Sequence, residues 1–325
     1  MTPLPAASWA QLFEAKSIPR SETVAILRMI GLLVVILGAS LPGFASLATP
    51  RPINIAFLDF GKSETGRLAA DHLARALMLE NPGAEFQLID RDQTRAAATG
   101  AGYQGSLNMS LEEARDLASA IGCDFFFAGE AQTLRRSPSQ GPAYFEAYAA
   151  IYLVSGRTGK LALWERRSAE RATYAEAESA LRTELAAKDF IVRYQRHIRR
   201  ALSDESAERA AAIETPAPLI QMMSDDADVT SDVRVPRAFR RLKPPYPEAA
   251  AHAEIEAIVD ALVDIDARGE VGRVEIARWA GYGLDDSVIA TIKQLHFFPA
   301  QREGAAIPMR VLLRYNFRKP PPQSR

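Results

Sequence analysis

Residues Tyr246–Phe317 decide the fold of the C-terminal part of the chain, and they read YPEAAAHAEIEAIVDALVDIDARGEVGRVEIARWAGYGLDDSVIATIKQLHFFPAQREGAAIPMRVLLRYNF. Pro247 suits the first turn of a short helix, which is expected at Glu248–Ala253. Apolar and polar residues then alternate over Ile255–Asp266 and again over Glu270–Trp279, as they do in half-buried strands. The first half of the stretch therefore predicts a helix followed by a β-hairpin.

The second half of the stretch predicts a helix and a last strand. Asp285 is expected to cap a short amphipathic helix, and Phe297 and Phe298 to close the core behind it. Alternation returns over Ile307–Arg318. Two strands, a helix and a strand predict a small α+β unit, in which a three-stranded antiparallel sheet carries helices on one side. This pattern indicates a binding surface, with no catalytic residues and no metal site.

Five phrases in this stretch resemble the C-terminal domain of TonB-type energy transducers. They occur in the order and at spacings similar to those of the family: YPEAA, VDIDARGEV, GLDDSVIATI, FFPAQREG and IPMRVLLRYNF. The resemblance implies a periplasmic domain whose edge strand pairs with a short extended segment of an outer-membrane receptor. Such pairing is strand addition, in which main-chain hydrogen bonds supply affinity.

The resemblance makes the last strand the candidate partner-binding edge. Arg310, Arg314 and Arg318 fall on its alternate face, where we expect them to discourage self-pairing and to attract an acidic partner segment. The predicted edge consists of Met309, Arg310, Val311, Leu312, Leu313, Arg314, Tyr315, Asn316 and Phe317.

The chain departs from the family pattern in two features. Family transducers have a long Pro- and Lys-rich spacer, whereas here a folded domain and a shorter linker precede the last unit. The family's transmembrane helix also carries a histidine that couples it to a proton-driven motor. The apolar segment 29–48 has no histidine, and this disfavours motor coupling.

The segment Met29–Ala48 follows an extension, residues 1–28, and contains no charged residue. Arg28, the helix breaker Pro42 and the small residues up to Ala48 are typical of a cleaved signal peptide. The length just reaches the roughly 20 residues of a spanning helix. Either interpretation places the rest of the chain in the bacterial periplasm. An uncleaved helix would anchor it in the inner membrane, where motor proteins would be additional partners.

Residues 52–173 predict an α/β domain with a mixed sheet. The order is strand, helix, strand, helix, strand and then a hairpin, with strands expected at Pro52–Gly61, Glu85–Asp90 and Cys123–Leu134. Ser110 and Glu113 form a capping-box pattern at the start of the second helix. Three phrases, AFLDFG, FQLIDRDQ and GCDFFFAGEA, resemble CsgG/TolB-N-like envelope domains. That resemblance implies a role in envelope assembly or binding.

Side chains that could carry chemistry in this domain have simpler structural interpretations. Gly61-Lys62-Ser63 lacks the first glycine that the phosphate-loop pattern G-x-x-x-x-G-K-[ST] requires before it. The acids Asp59, Asp90 and Asp92 lie at or after strand ends and are expected to be capping and turn residues. His72 is expected to be a packed side chain with no metal-ligand partners, and the single Cys123 an inert core thiol. Tyr103 is expected to be exposed in a flexible loop, and contact with a partner is the alternative for that loop.

Residues 174–212 predict one long helix, residues 213–236 a linker, and residues 237–320 the last domain. The formal net charge of −1 gives no reason to expect nucleic acid, and no sequence pattern calls for a cofactor. The expected fold is therefore α+β: an α/β domain, a long helix with a linker, and a small TonB-like domain. The predicted function is non-enzymatic binding of an outer-membrane partner, associated with energy-coupled transport. The alternatives are a periplasmic scaffold or assembly factor without energy transduction, and an enzyme using acids of the first domain.

Overall fold

The structure is a computed structural model that describes residues 51–81, 83–214, 221–222 and 233–319. The chain divides into two compact units, residues 1–51 and 52–325, and every helix and strand named below belongs to the second. The segment 29–48, predicted as a signal peptide or a membrane helix, lies outside the described residues. Within those ranges, none of the helices has the length and apolar character needed to cross a bilayer.

A five-stranded mixed sheet forms the larger part of the described unit, with strand order β2-β1-β3-β4-β5. Strand β1 pairs in parallel with β2 and β3, whereas β3–β4 and β4–β5 are antiparallel. The mixed sheet predicted from the sequence is confirmed. The strands are β1 (Ile53–Phe57), β2 (Phe86–Leu88), β3 (Phe125–Arg136), β4 (Tyr144–Ser155) and β5 (Leu161–Arg171).

Five helices accompany this sheet: α1 (Glu64–Leu79), α2 (Arg91–Gly100), α3 (Leu111–Ile121), α4 (Tyr174–Leu185) and α5 (Lys188–Glu214). The capping box predicted at Ser110 is present at the start of α3. Helix α2 was not predicted. Its N-cap is Asp90, whose carboxylate accepts the backbone N–H groups of Asp92 and Gln93. The helix expected over residues 174–212 is divided at residues 186–187, which lets both parts pack their apolar residues on one core.

A second sheet forms the C-terminal part, with strand order β10-β9-β14-β6. Strands β9 and β14 pair antiparallel from Ile265↔Met309 to Ala257↔Phe317, and β10 forms the predicted hairpin with β9. The α+β class and the antiparallel three-stranded arrangement are confirmed. The main elements are α6 (Glu248–His252), β9 (Ala257–Ile265), β10 (Val271–Arg278), α7 (Leu284–Ile292) and β14 (Met309–Phe317).

Short strands complete this part and bring residues of the predicted linker into it. Strand β6 pairs in parallel with the beginning of β14, β7 pairs with β12, and β8 pairs with β11. These strands are β6 (Gln221–Met222), β7 (Val233–Arg234), β8 (Arg237–Ala238), β11 (Phe297–Phe298), β12 (Ala300–Arg302) and β13 (Ala305–Ile307).

Both faces of the five-stranded sheet are buried, which explains why β3 and β4 are apolar along most of their length. On one face, α1, α4 and α5 cover side chains such as Phe127 and Ile151. On the other face, Phe126 and Tyr152 belong to the same core as Val263 of β9. The C-terminal sheet and α7 are therefore packed against the α/β part through a shared hydrophobic core.

Candidate functional site

Strand β14 presents two different faces, as its alternating sequence predicts. Met309, Val311 and Phe317 are buried in the shared core, and Leu313 and Tyr315 are half-buried on the same side. The opposite face consists of Arg310, Leu312, Arg314 and Asn316. On that face Leu312 is 38% exposed, so an apolar side chain is accessible to solvent between Arg310 and Arg314.

Among the described residues, one backbone edge of β14 has no strand partner along most of its length. One edge is paired with β9 throughout. On the other edge, β6 pairs in parallel with Met309 and Arg310, and no described strand pairs with residues 311–317. The sequence predicted nine edge residues as one surface. In the part of the chain that the structure describes, β6 occupies the first two, and residues 311–317 remain without a strand on that edge.

The arginines of β14 are neutralised within their own sheet. Arg310 binds Asp264 through two hydrogen bonds of 2.5 and 2.8 Å, and this carboxylate raises the pKa of the guanidinium. Arg314 binds Asp260 in the same way, at 2.7 and 3.1 Å. Because both charges face carboxylates of β9, the expectation that they attract an acidic partner loses its basis for these two residues. Arg318 is exposed beyond the end of the strand.

Trp279 connects the C-terminal sheet to the α/β part. Its side chain is 1% exposed, and its indole N–H donates to the carbonyl of Gly159 at 3.0 Å. The ring packs against Tyr152, whose hydroxyl donates to the carbonyl of Ala280 at 3.1 Å. Asn108 adds hydrogen bonds from its amide to the carbonyls of Ile258 and Trp279.

The sequence did not predict that these residues connect the two parts. The local signal was the aromatic and glycine-rich phrase WAGYG, residues 279–283, directly after the hairpin. Gly281 shows why glycine is needed there, since its φ is +74° and a Cβ would lie 2.6 Å from the ring of Trp164. The phrase alone does not show which residues it packs against, and these are Tyr152 of β4 and Trp164 of β5.

Asp285 has a different role from the one predicted. Helix α7 begins at Leu284 with Gly283 as its N-cap, so Asp285 lies inside the first turn. Its carboxylate accepts the backbone N–H groups of Ala280 and Gly281 at 2.9 and 2.8 Å. Burial nevertheless raises the pKa of Asp285 to about 6, because removal from water penalises the charged form.

The candidate acids of the α/β part have structural partners. Asp59 follows β1 and forms ion pairs with Arg91 and, at 3.0 Å, with Arg95. The Asp59 carboxylate raises the pKa of Arg95. Asp90 is the N-cap of α2, and Asp92 binds Arg95 at 2.6 Å from the first turn of that helix. The capping and ion-pair roles agree with the simpler interpretation of these acids.

The other candidate side chains of the α/β part also have structural surroundings that account for them. His72 is half-buried on α1, and its pKa is lowered by burial and by nearby arginines. Burial raises the pKa of Cys123 to about 12, so its thiol is protonated at neutral pH. Tyr103 was expected to be exposed but is half-buried against the shared core. Ser63 accepts the N–H of Gly66 and caps α1. The described residues contain no cluster of metal-ligating side chains.

One family model matches the C-terminal part of the chain. Residues 243–318 match the family described as Gram-negative bacterial TonB protein C-terminal. No curated protein matches the chain. Among solved structures, the chain is similar to the solution NMR structure of the TonB C-terminal domain of Pseudomonas aeruginosa. The sequence identity is 19% and the TM-score 0.24, and the match covers 33% of this chain and 100% of that one.

Two further solved structures overlap larger shares of the chain. The PelC dodecamer from Paraburkholderia phytofirmans matches at 14% identity and a TM-score of 0.28, covering 42% of this chain and 84% of that one. The LpoB C-terminal domain from Salmonella enterica matches at 17% identity and a TM-score of 0.26, covering 43% and 94%. The family match is what identifies a part of this protein: residues 243–318 are a TonB C-terminal domain segment, carried within a longer chain.

Proposed function

We propose that the protein is a cell-envelope protein that binds an extended segment of an outer-membrane partner by strand addition to β14, in association with energy-coupled transport. The TonB C-terminal segment supports the class of partner and the periplasmic location. The observation that carries the proposal is that no described strand pairs with the outer edge of β14 over residues 311–317. The role is non-enzymatic, because the binding surface consists of backbone groups and not of reactive side chains.

The chemistry of this edge favours a partner that is bound mainly through hydrogen bonds to its backbone. Arg310 and Arg314 are held by carboxylates of β9, so they contribute little free charge to an incoming strand. Leu312 offers an exposed apolar contact on the outer face. A partner strand longer than the open edge would have to replace β6 at Met309 and Arg310. Strand β6 therefore limits how far the partner extends along β14.

A periplasmic scaffold or assembly role is the second candidate. It is favoured by the shared core, since Trp279 and Tyr152 join the TonB-like segment to the five-stranded sheet. A segment held in this way does not act as a separate module at the end of a tether. In this alternative both parts bind envelope proteins and no energy is transduced.

Proline substitutions test the strand-addition proposal. Successive N–H groups of a strand point to opposite edges, so Leu312→Pro and Leu313→Pro each remove a donor on one edge. The variant that loses the outward N–H should fail to bind while its thermal stability stays near that of the parent protein. Binding is measured by fluorescence polarisation of the full chain with peptides from the periplasmic N-terminal segments of outer-membrane receptors of the same bacterium. Leu312→Ala, which keeps the backbone donor, is the matched control.

Unchanged peptide binding in both proline variants would refute strand addition at β14. The two candidate functions are separated by the mature N-terminus, determined by mass spectrometry of protein from the native envelope. A chain that keeps residues 29–48 and fractionates with the inner membrane supports the transducer. A soluble chain beginning near Thr49 contradicts the transducer and leaves the scaffold.

A further inference from the structure

A cavity of about 550 Å³ lies at the carboxyl end of β1, away from β14. It is bounded by the turn after β1, by α2 with the loop that follows it, and by Gly129 of β3. Strand β1 has parallel neighbours on both sides, and the chain leaves it towards β2 before crossing back to β3. Such a reversal opens a crevice beyond the strand ends, where α/β sheets place their ligands.

The charged lining of this cavity is mainly cationic. Four basic side chains, Lys62, Arg67, Arg91 and Arg95, line it together with the single carboxylate of Asp59. Asp59 pairs with Arg91 and Arg95. Lys62 and Arg67 are exposed at the rim, and their side chains make no ion pair or hydrogen bond with the described residues. The cavity thus retains positive charge after its internal ion pairs are formed.

Arg91 provides an independent sign of a missing partner. Its side chain is only 16% exposed, and one guanidinium nitrogen, Nη2, contacts Asp59 and, at 3.4 Å, Asp71. The other two nitrogens, Nε and Nη1, are buried without a hydrogen-bond partner among the described residues. Buried donors are nearly always satisfied in folded proteins, and an anion in the cavity would supply partners for these two atoms.

We propose that this cavity binds a small organic anion, whose phosphate or carboxylate group accepts hydrogen bonds from Arg91 with Lys62 and Arg67 closing over it. A planar guanidinium matches the oxygens of either group. The half-buried ring of Tyr103 and the neighbouring Ala98 give an apolar wall for the body of the ligand. The site thereby gives the α/β part of this protein a ligand-binding role of its own, separate from the sheet edge of the C-terminal segment.

The rim residues allow a test that does not endanger the fold. Because Lys62 and Arg67 lack side-chain partners, Lys62→Gln combined with Arg67→Gln should leave the melting temperature unchanged. Isothermal titration of the full chain with inorganic phosphate, glycerol 3-phosphate and citrate should show saturable binding to at least one of them. Each charge-assisted contact that is lost should weaken binding about tenfold. Arg135→Gln, an exposed arginine at the far end of β3, is the matched control and should bind as the parent does.

Arg91→Gln extends the test to the centre of the cavity. It should abolish binding of the soluble anion and the rise in melting temperature that the anion causes. The same anionic group could come from a lipid, so flotation with phosphatidylglycerol vesicles forms a second arm. Binding to vesicles without binding to any soluble anion would overturn the cavity proposal in favour of a surface charge effect. Equal affinity in the parent protein and the rim double variant, or no saturable binding of any probe, would overturn it as well.

Discussion

Trp279→Ala removes the largest of the fully buried side chains among the described residues and should destabilise both sheets together. The indole is one of the connections between the TonB-like segment and the five-stranded sheet, through its contact with Tyr152 and its hydrogen bond to Gly159. If the two parts share one core, a cavity at this position weakens the whole described unit. If they were independent, only the C-terminal sheet would be affected.

The size of the effect follows from two losses. Truncating a buried tryptophan to alanine costs about 3–5 kcal/mol through lost contacts and the cavity that remains. The carbonyl of Gly159 also loses its donor, which costs about 1–3 kcal/mol when no water replaces it. We therefore expect a loss of about 5 kcal/mol in the free energy of unfolding. Trp279→Phe keeps most of the volume and should cost only the hydrogen-bond part, about 1–3 kcal/mol.

Urea unfolding followed by far-UV circular dichroism gives the free energies, and hydrogen exchange followed by mass spectrometry gives their location. In Trp279→Ala, amide exchange should rise in β3 and β4 as well as in β9 and β14. Phe239→Ala is the control, because Phe239 is 59% exposed and its ring contacts Phe298, which is 46% exposed. It should change the free energy of unfolding by less than about 1 kcal/mol.

One result would refute the shared-core interpretation. Two separate unfolding transitions in Trp279→Ala, with the transition of β3 and β4 unchanged from the parent protein, would show that the α/β part is stable by itself. Unchanged amide exchange in β4 would lead to the same conclusion, because Tyr152 is the residue of that strand in contact with the indole.

Three further predictions concern single residues. Glu146 is 3% exposed and holds Arg136 and Arg166, so Glu146→Gln should cost about 3–5 kcal/mol in thermal or urea unfolding, and a change below 1 kcal/mol would contradict the pairing. The folded-state pKa of Asp285, about 6, lies above its ordinary 3.8, so its contribution to stability is complete below about pH 3.8 and is lost as the pH rises through about 6. Between these limits the contribution amounts to up to about 3 kcal/mol, and Asp285→Asn should flatten the measured pH dependence. Gly159 has a φ of +72°, and a Cβ there would lie 2.1 Å from the carbonyl oxygen of Leu111, so Gly159→Ala should lower the melting temperature, whereas a stability equal to the parent's would show that the turn adapts.

The alternating strands were predictable because their pattern is local. The inward and outward faces of β14 follow directly from the sequence, and so does the capping box of Ser110 and Glu113. The ion pairs between β14 and β9 could also be inferred from the sequence. Aspartates 260 and 264 and arginines 310 and 314 have the same four-residue spacing, and antiparallel pairing places them opposite each other. The sequence spacing allows these ion pairs, but the register between β9 and β14 is needed to say which aspartate faces which arginine.

Other features depend on contacts that no local pattern contains. Helix α2 has no apolar stripe, and only the N-cap at Asp90 marks its start. The break at residues 186–187 interrupts an apolar stripe that continues on both sides. The shared core joins Tyr152 to a loop more than a hundred residues later, so it could be seen only when the fold was known. The cavity at the end of β1 likewise collects Lys62 and Arg91 from separate connections.

The nine-residue register between β9 and β14 also determines how the C-terminal sheet would respond to mechanical load. A pull along β14 from a bound strand would shear all its hydrogen bonds to β9 at once, because these bonds lie across the direction of the force. The double hydrogen bonds of Arg310 and Arg314 resist the same sliding motion. Such a sheet would yield far less readily to tension along its strands than to peeling from one end.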